Sequence, residues 1–322
     1  MLAAAREIRA NGQSIGKSPL LVPSFSSKGF SQVSGIVDAM SETITEGILI
    51  SAYDVGKKII TEIPTFPEFF ILDSGGYECS KDADISDHNM NTYREIPWTI
   101  DELKTVLDGW QSTQPTLAVS YDHPKARCSL AEQIERAKDL FKGRPFGREL
   151  LIKPSTPGSA FVHVRDVKAE IASLKGFDVI GFTEKELGSC IFDRMKAIKK
   201  IREALDAEGL EIPIHVFGSL DPISTPLYFF SGADIFDGLT WLRYAYVEGQ
   251  AVYGHNAGLI KYGPRVSDIG IWHRLWAENY QEMINLQFRL KRYLNEDRSL
   301  AHFDARSRCL FENTVQDLMT VR

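Results

Sequence analysis

The chain has 322 residues, 43% hydrophobic and 25% charged, with a formal net charge of −6; this is the make-up of a globular protein with one large domain or two small ones, neither fibrous nor disordered. The negative balance argues against a surface coated in positive charge for nucleic acid, so a polyanionic partner has to meet a local basic patch. No apolar window approaches the roughly 20 residues that cross a bilayer, and Met1-Leu-Ala-Ala-Ala-Arg6 lacks the apolar segment and cleavage site of a signal peptide, so a soluble, cytoplasmic protein with no membrane partner is expected.

Along the chain, short apolar runs alternate with helical segments. Leu20-Leu-Val-Pro23 is the first run, followed by a helical segment from Ser31 to Met40, and Ile48-Leu-Ile-Ser51 is the second. The third, Phe69-Phe-Ile-Leu-Asp73, is continuous rather than alternating, as in a strand covered on both faces, and it ends in Ser74-Gly75-Gly76-Tyr77. Asp-Ser-Gly-Gly is ordinary turn chemistry as well as a place where backbone can approach a ligand. A polar stretch from Cys79 to Trp98 carries Asp82, Asp84, Asp87 and His88, which reads as a solvated loop in preference to a metal site.

Thr99-Ile-Asp-Glu102 is a capping box opening a helix with Ile100, Leu103, Leu107 and Trp110 on one face; a second box, Ser129-Leu-Ala-Glu132, follows the run Leu117–Tyr121 and its Asp122, with Ala131, Ile134, Ala137 and Leu140 inward. Leu150–Lys153, Phe177–Gly181, Ile214–Phe217 and Asp234–Asp237 complete a set of eight runs. Eight strand–helix repeats in about 250 residues point to a (β/α)8 TIM barrel in one domain, from about residue 20 to 294, with a helical C-terminal tail over 295–322. A doubly wound open sheet is the alternative, and neither Gly-x-Gly-x-x-Gly nor a Walker-type loop is present to support it.

Function in such barrels sits at the carboxyl ends of the strands, here Asp73, Asp122, Lys153, Gly181, Gly218 and Asp237. Carboxylates are costly to bury without partners, so three on one rim read as chemistry. Cys79, Cys128, Cys190 and Cys309 are scattered, with no Cys-x-x-Cys pair and no His at ligand spacing, so reduced thiols, no metal and no other cofactor are expected.

These motifs resemble the guanine transglycosylases, which exchange guanine in nucleic acid for a 7-deazaguanine base. The resemblance runs from about Leu20 to Leu294: Asp73-Ser74-Gly75-Gly76-Tyr77 matches the family's Asp-Ser-Gly-Gly-Tyr/Phe, Tyr121-Asp122-His123 echoes its Phe-Asp-Glu, Ile180-Gly181-Phe182 its Gly-rich base-binding turn, Phe217-Gly218 its Met-Gly loop, and Ile235-Phe236-Asp237 with Leu242-Arg243 its Met-Phe-Asp and Thr-Arg. Asn279 to Leu294 is similar to its closing helix.

The resemblance implies that Asp237 is the nucleophile and Asp73 the general acid/base. It implies that Asp122, with Ser74 and Lys153 beside it, reads the purine edge. Tyr77 and Phe217 would stack on the base, the backbone at Gly181 and Gly218 would contact it, and Arg243 would grip a phosphate. Barrel-mouth packing for the two rings and a surface ion pair for Arg243 are the plainer readings. The family's zinc subdomain is missing, Lys261 to Trp276 standing in its place; Pro124 replaces a frequent Cys, and Lys153 lies near a base-reading Gln.

Those departures are most similar to the zinc-lacking, DNA-acting branch. That implies a DNA substrate, a 7-deazaguanine base and a partner protein supplying DNA-binding surface, with tRNA as the alternative substrate. A catalytically silent subunit and an unrelated N-glycosidase barrel are the other readings.

Overall fold

The structure is a computed structural model that describes residues 2–79, 93–123, 127–156 and 158–321. Asp82, Asp84, Asp87, His88 and Pro124 therefore lie outside the described residues.

Eight parallel strands close into a barrel: β3 (Leu20–Phe25), β4 (Ile48–Ser51), β5 (Phe70–Asp73), β6 (Thr116–Val119), β7 (Gly147–Ile152), β8 (Val179–Thr183), β9 (Ile214–Phe217) and β10 (Ile235–Gly238), with β10 pairing back onto β3. Each predicted run becomes one strand, and the chain is a (β/α)8 TIM barrel. Two hairpins were not anticipated. β1 (Glu7–Ala10) and β2 (Gln13–Lys17) precede the barrel, and β11 (Tyr244–Val247) pairs with β12 (Gln250–Tyr253) after it.

The continuous apolar runs conceal a period of two. Phe70, Leu72, Ile180, Phe182, Ile214 and Val216 join the large core shared with the helices, whereas Ile71, Val179, Phe217 and Ile235 join a separate cluster with Leu20, Val22, Leu49, Leu117 and Leu151. The first set faces outward and the second fills the barrel, as a sheet covered on both sides requires. Ile8 and Ala10 of β1 belong to the inner cluster, and Ala10 packs so close to Gly147 that a side chain there would meet it, so the first hairpin plugs the amino-terminal end.

The helices are α1 (Val33–Met40), α2 (Ala52–Gly56), α3 (Ile100–Gly109), α4 (Leu130–Phe141), α5 (Val164–Ala169), α6 (Ile191–Ala207), α7 (Ser224–Phe230), α8 (Thr240–Arg243), α9 (Gly254–Tyr262), α10 (Asp268–Asn295) and α11 (Ala305–Thr320). The Thr99–Glu102 capping box forms in full, with Leu103 and Leu107 buried. At Ser129 only half forms: Glu132 donates its N–H to the Ser129 hydroxyl, while its carboxylate pairs with Arg136 one turn on. Ala131 is exposed and Leu130 takes the inward place, because 130, 134 and 137 share the 3.6-residue stripe that 131 leaves.

The 28-residue helix α10 latches the last elements to the barrel. Asn279 donates to the carbonyls of Trp241 and Tyr244 (both 2.6 Å) and accepts from the Tyr246 N–H, while the Leu21 N–H of β3 donates to Gln287 at 2.8 Å. Among the described residues no helix is long and apolar enough to cross a membrane.

Candidate active site

Because inward residues alternate, the last inward side chain of each strand reaches the carboxyl-end rim, and several of these are polar. Asp73 is the last residue of β5, in register with Ser51 of β4. Asp237 lies on β10 opposite Val22, Lys153 directly follows β7, and Asp122 lies past β6. Asp73 and Asp237 are 9% and 5% exposed, so both carboxyls sit in a largely dry site.

Asp237 is held on both oxygens. Ser24 Oγ donates to Oδ2 at 2.6 Å; the Gly218 N–H donates to Oδ1 at 3.2 Å, and His215 Nε2 lies 3.1 Å from that same oxygen. The other imidazole nitrogen, Nδ1, is 2.8 Å from Glu149 Oε1. Burial alone would lower the His215 pKa, but the Glu149 charge and the bonds to both carboxylates outweigh it and raise it to about 9. Phe217 stacks on the imidazole, ring centroids 3.9 Å apart.

Asp73 is differently placed. Its Oδ2 accepts from the Gly75 N–H at 3.3 Å, and burial, then the charges of Asp122 and Glu78, hold its pKa well above the usual carboxylate range. Glu78, itself buried and raised by burial, accepts from Ser26 and Ser51 Oγ. Beside it Asp54 accepts from the Ser27 N–H and hydroxyl, yet burial and the Glu78 charge push its pKa up to about 8.

Asp122 is anchored from two sides: Ser74 Oγ donates to Oδ1, and Lys153 Nζ stands 3.6 Å from Oδ2. Lys153 also pairs with Glu186 at 2.7 Å and donates to Thr183 Oγ1 at 2.7 Å, so it enters the site already neutralised. A Cβ on Gly76 would fall inside the Asp122 carboxylate. Gly76→Ala is therefore expected to swing Asp122 out, at about 1–3 kcal/mol of stability. Thermal unfolding checks this, and an unchanged stability would mean that the methyl is accommodated without moving Asp122.

The structure brings Asp73, Asp122, Asp237, Lys153, Phe217 and Gly218 to one rim. Gly181 lies within β8, in register with His215, rather than in a turn. The space its side chain would take is filled by Phe217 and by Glu149, so its glycine identity is explained by packing. Tyr77 and Arg243 meet each other, Arg243 Nη2 donating to the Tyr77 hydroxyl at 3.2 Å, and Lys28 Nζ stands 4.3 Å from the centre of the Tyr77 ring while donating to its carbonyl.

Glu149, His215, Ser24 and Glu78 were missed by sequence reasoning. The signal for two of them was available: if Lys153 and Phe217 point inward, so do residues two and four places earlier, which puts His215 and Glu149 inside the barrel. A surface cavity of about 840 Å³ lies elsewhere, against β11, β12, α9 and α10, lined by residues including Val252, Ile260, Arg289 and Phe303.

The shifts also set a sign for stability. His215 has a folded pKa of about 9 against an ordinary value near 6.5, so its contribution, of the order of 3 kcal/mol, is complete below about pH 6.5 and lost as pH rises through about 9. Asp54, raised to about 8, acts in the same direction from lower pH. Denaturant unfolding at pH 5, 7 and 9 is expected to show stability falling steadily; a rise across that range contradicts the assignment.

No family model matches the chain. It is similar to the tRNA-guanine(15) transglycosylase of Methanococcus maripaludis strain C5, with 25% identity over 194 residues, 58% of this chain and 28% of the relative. The protein of that name from strain C7 is 24% identical over the same length. The chain thus spans little more than a quarter of the length of the curated relatives it matches. The similarity is distant and partial, and it is to the tRNA-guanine transglycosylases.

Proposed function

We propose that this protein is a base-exchange glycosyltransferase that replaces guanine in a nucleic acid with a 7-deazaguanine, through a covalent bond between Asp237 and the sugar. The observation that carries the reading is the unlike setting of two buried carboxyls: Asp237 has three hydrogen-bonding neighbours, whereas burial and the neighbouring charges of Asp122 and Glu78 raise the Asp73 pKa. That division of labour suits a retaining glycosyl transfer.

In the first half, the bond from C1′ to the purine breaks, its electron pair leaves with the base, and Asp73 supplies the proton while an Asp237 oxygen bonds to C1′. In the second, Asp73 takes the proton of the incoming base, whose nitrogen displaces Asp237. Asp122 offers only acceptors and takes the N–H groups of the purine edge, Lys153 and Ser74 fixing its orientation. Phe217 and Gly218 border the base pocket, with Tyr77 at its edge, and Arg243 meets the flanking phosphate. No cofactor takes part.

We favour DNA as the polymer, with the barrel and tail working as one cytoplasmic domain. A chain of net charge −6 gains affinity for DNA by borrowing basic surface from a partner protein, and the target nucleotide has to leave the stack to reach Asp237. The names of the similar proteins favour tRNA as the second reading.

The test is to incubate the protein with radiolabelled guanine and either DNA or tRNA, then to count label in the polymer and look for a denaturation-resistant adduct. Label in tRNA alone overturns the choice of DNA. No label and no adduct with either polymer leaves the silent-subunit reading.

A further inference from the structure

Glu149 and His215 are wholly buried inside the barrel, below the rim that carries Asp73 and Asp122. Glu149 comes from β7, His215 from β9 and Asp237 from β10, while β8 between them places Gly181 beside the group, its missing side chain leaving room for Glu149. Phe217 covers the imidazole. Three ionisable groups at that depth are expensive, and an apolar trio of similar volume would serve the fold at least as well. An imidazole with a carboxyl at each nitrogen donates from Nε2 to Asp237 whether it is doubly protonated or receives the proton of Glu149 at Nδ1.

We propose that His215, oriented by Glu149, is a positioning residue that aims the Asp237 carboxylate and steadies its charge, an inference that rests on Asp237 being the nucleophile. The His215 and Gly218 N–H groups hold one oxygen and Ser24 the other, leaving the carboxylate a single orientation. When the incoming base displaces the sugar, the C1′–O bond breaks and its electron pair returns to the carboxylate. The Nε2–H already faces that charge and stabilises it without giving up its proton.

The experiment uses the full chain and the variants His215→Phe, His215→Gln and Glu149→Gln. Base exchange is followed with labelled guanine across pH, and the His215 ring of wild type and Glu149→Gln is titrated by 15N NMR. His215→Phe is expected to lower kcat about 100-fold while KM for guanine moves less than about threefold, and His215→Gln, which keeps an N–H donor, is expected to recover about tenfold. The wild-type ring stays protonated to about pH 9, and Glu149→Gln moves both that titration and the alkaline limb of kcat to lower pH. An unchanged kcat in His215→Phe, or a neutral ring at pH 7 that ignores Glu149→Gln, overturns the proposal even if a variant folds poorly. If wild type exchanges no base while its ring titrates as stated, the reading of Asp237 as nucleophile fails and the clamp itself stands.

Discussion

Asp237→Asn is expected to lose base exchange by about four orders of magnitude or more, and with it every trace of a denaturation-resistant protein–nucleic acid adduct. The asparagine side chain has nearly the same shape, so the Ser24 and Gly218 contacts need little rearrangement. What disappears is the anion: a neutral amide oxygen is a poor nucleophile towards C1′ and does little to stabilise an oxocarbenium-like sugar. The amide also sets an N–H against the imidazole or leaves one of its contacts unmade, so a modest loss of stability accompanies the chemical defect. Gel electrophoresis under denaturing conditions and label counting read the two effects separately. A variant that still forms the adduct means that another group attacks.

The second large effect is expected at Asp73. In the proposed mechanism Asp73→Asn removes the proton supplied to the departing purine, and it is expected to slow exchange about 10³-fold. The loss should shrink for a base that leaves well without protonation, a dependence that simple misfolding does not produce. Because burial and the charges of Asp122 and Glu78 raise the Asp73 pKa, loss of that proton adds to the fall of the wild-type base-release rate at high pH, and the variant keeps only the part of that fall set by His215. Release rates for two leaving bases, measured from pH 5 to 9 in wild type and variant, check both points. Equal slowing for both bases would place the role of Asp73 in structure rather than proton transfer.

Much of the barrel was legible because its evidence is local. A buried parallel strand is a short run of Phe, Ile, Leu and Val, and each of the eight runs meets a Gly, Pro, Ser or charged residue at or next to its end. Thr99 and Ser129 cap their helices through atoms three residues away, so the motif contains its own partner. The two hairpins escaped notice because β1, β2, β11 and β12 are short, four or five residues each, and mostly half-exposed, without the continuous apolar character that marked the barrel strands.

The site divides along the same line. Asp73, Asp122 and Asp237 could be named because each stands at the end of an apolar run, where a barrel gathers its chemistry. Glu149 stands at the head of its run and His215 within one, so neither is marked by position. Tyr77 and Arg243, separated by 166 positions, had been given different tasks, and only the fold shows that they touch.

By itself, then, the sequence determined the number and order of the barrel strands, the helix starts at Thr99 and Ser129, and the carboxylates that reach the rim, since periodicity, capping and strand ends are properties of neighbouring residues. Tertiary structure decided how each carboxyl is surrounded. That depends on burial and on charges brought from distant strands: Glu78 and Asp122 around Asp73, and Ser24, His215 and Gly218 around Asp237. Closing β10 onto β3 sets Ser24 against Asp237, 213 positions apart, and no local pattern encodes that contact.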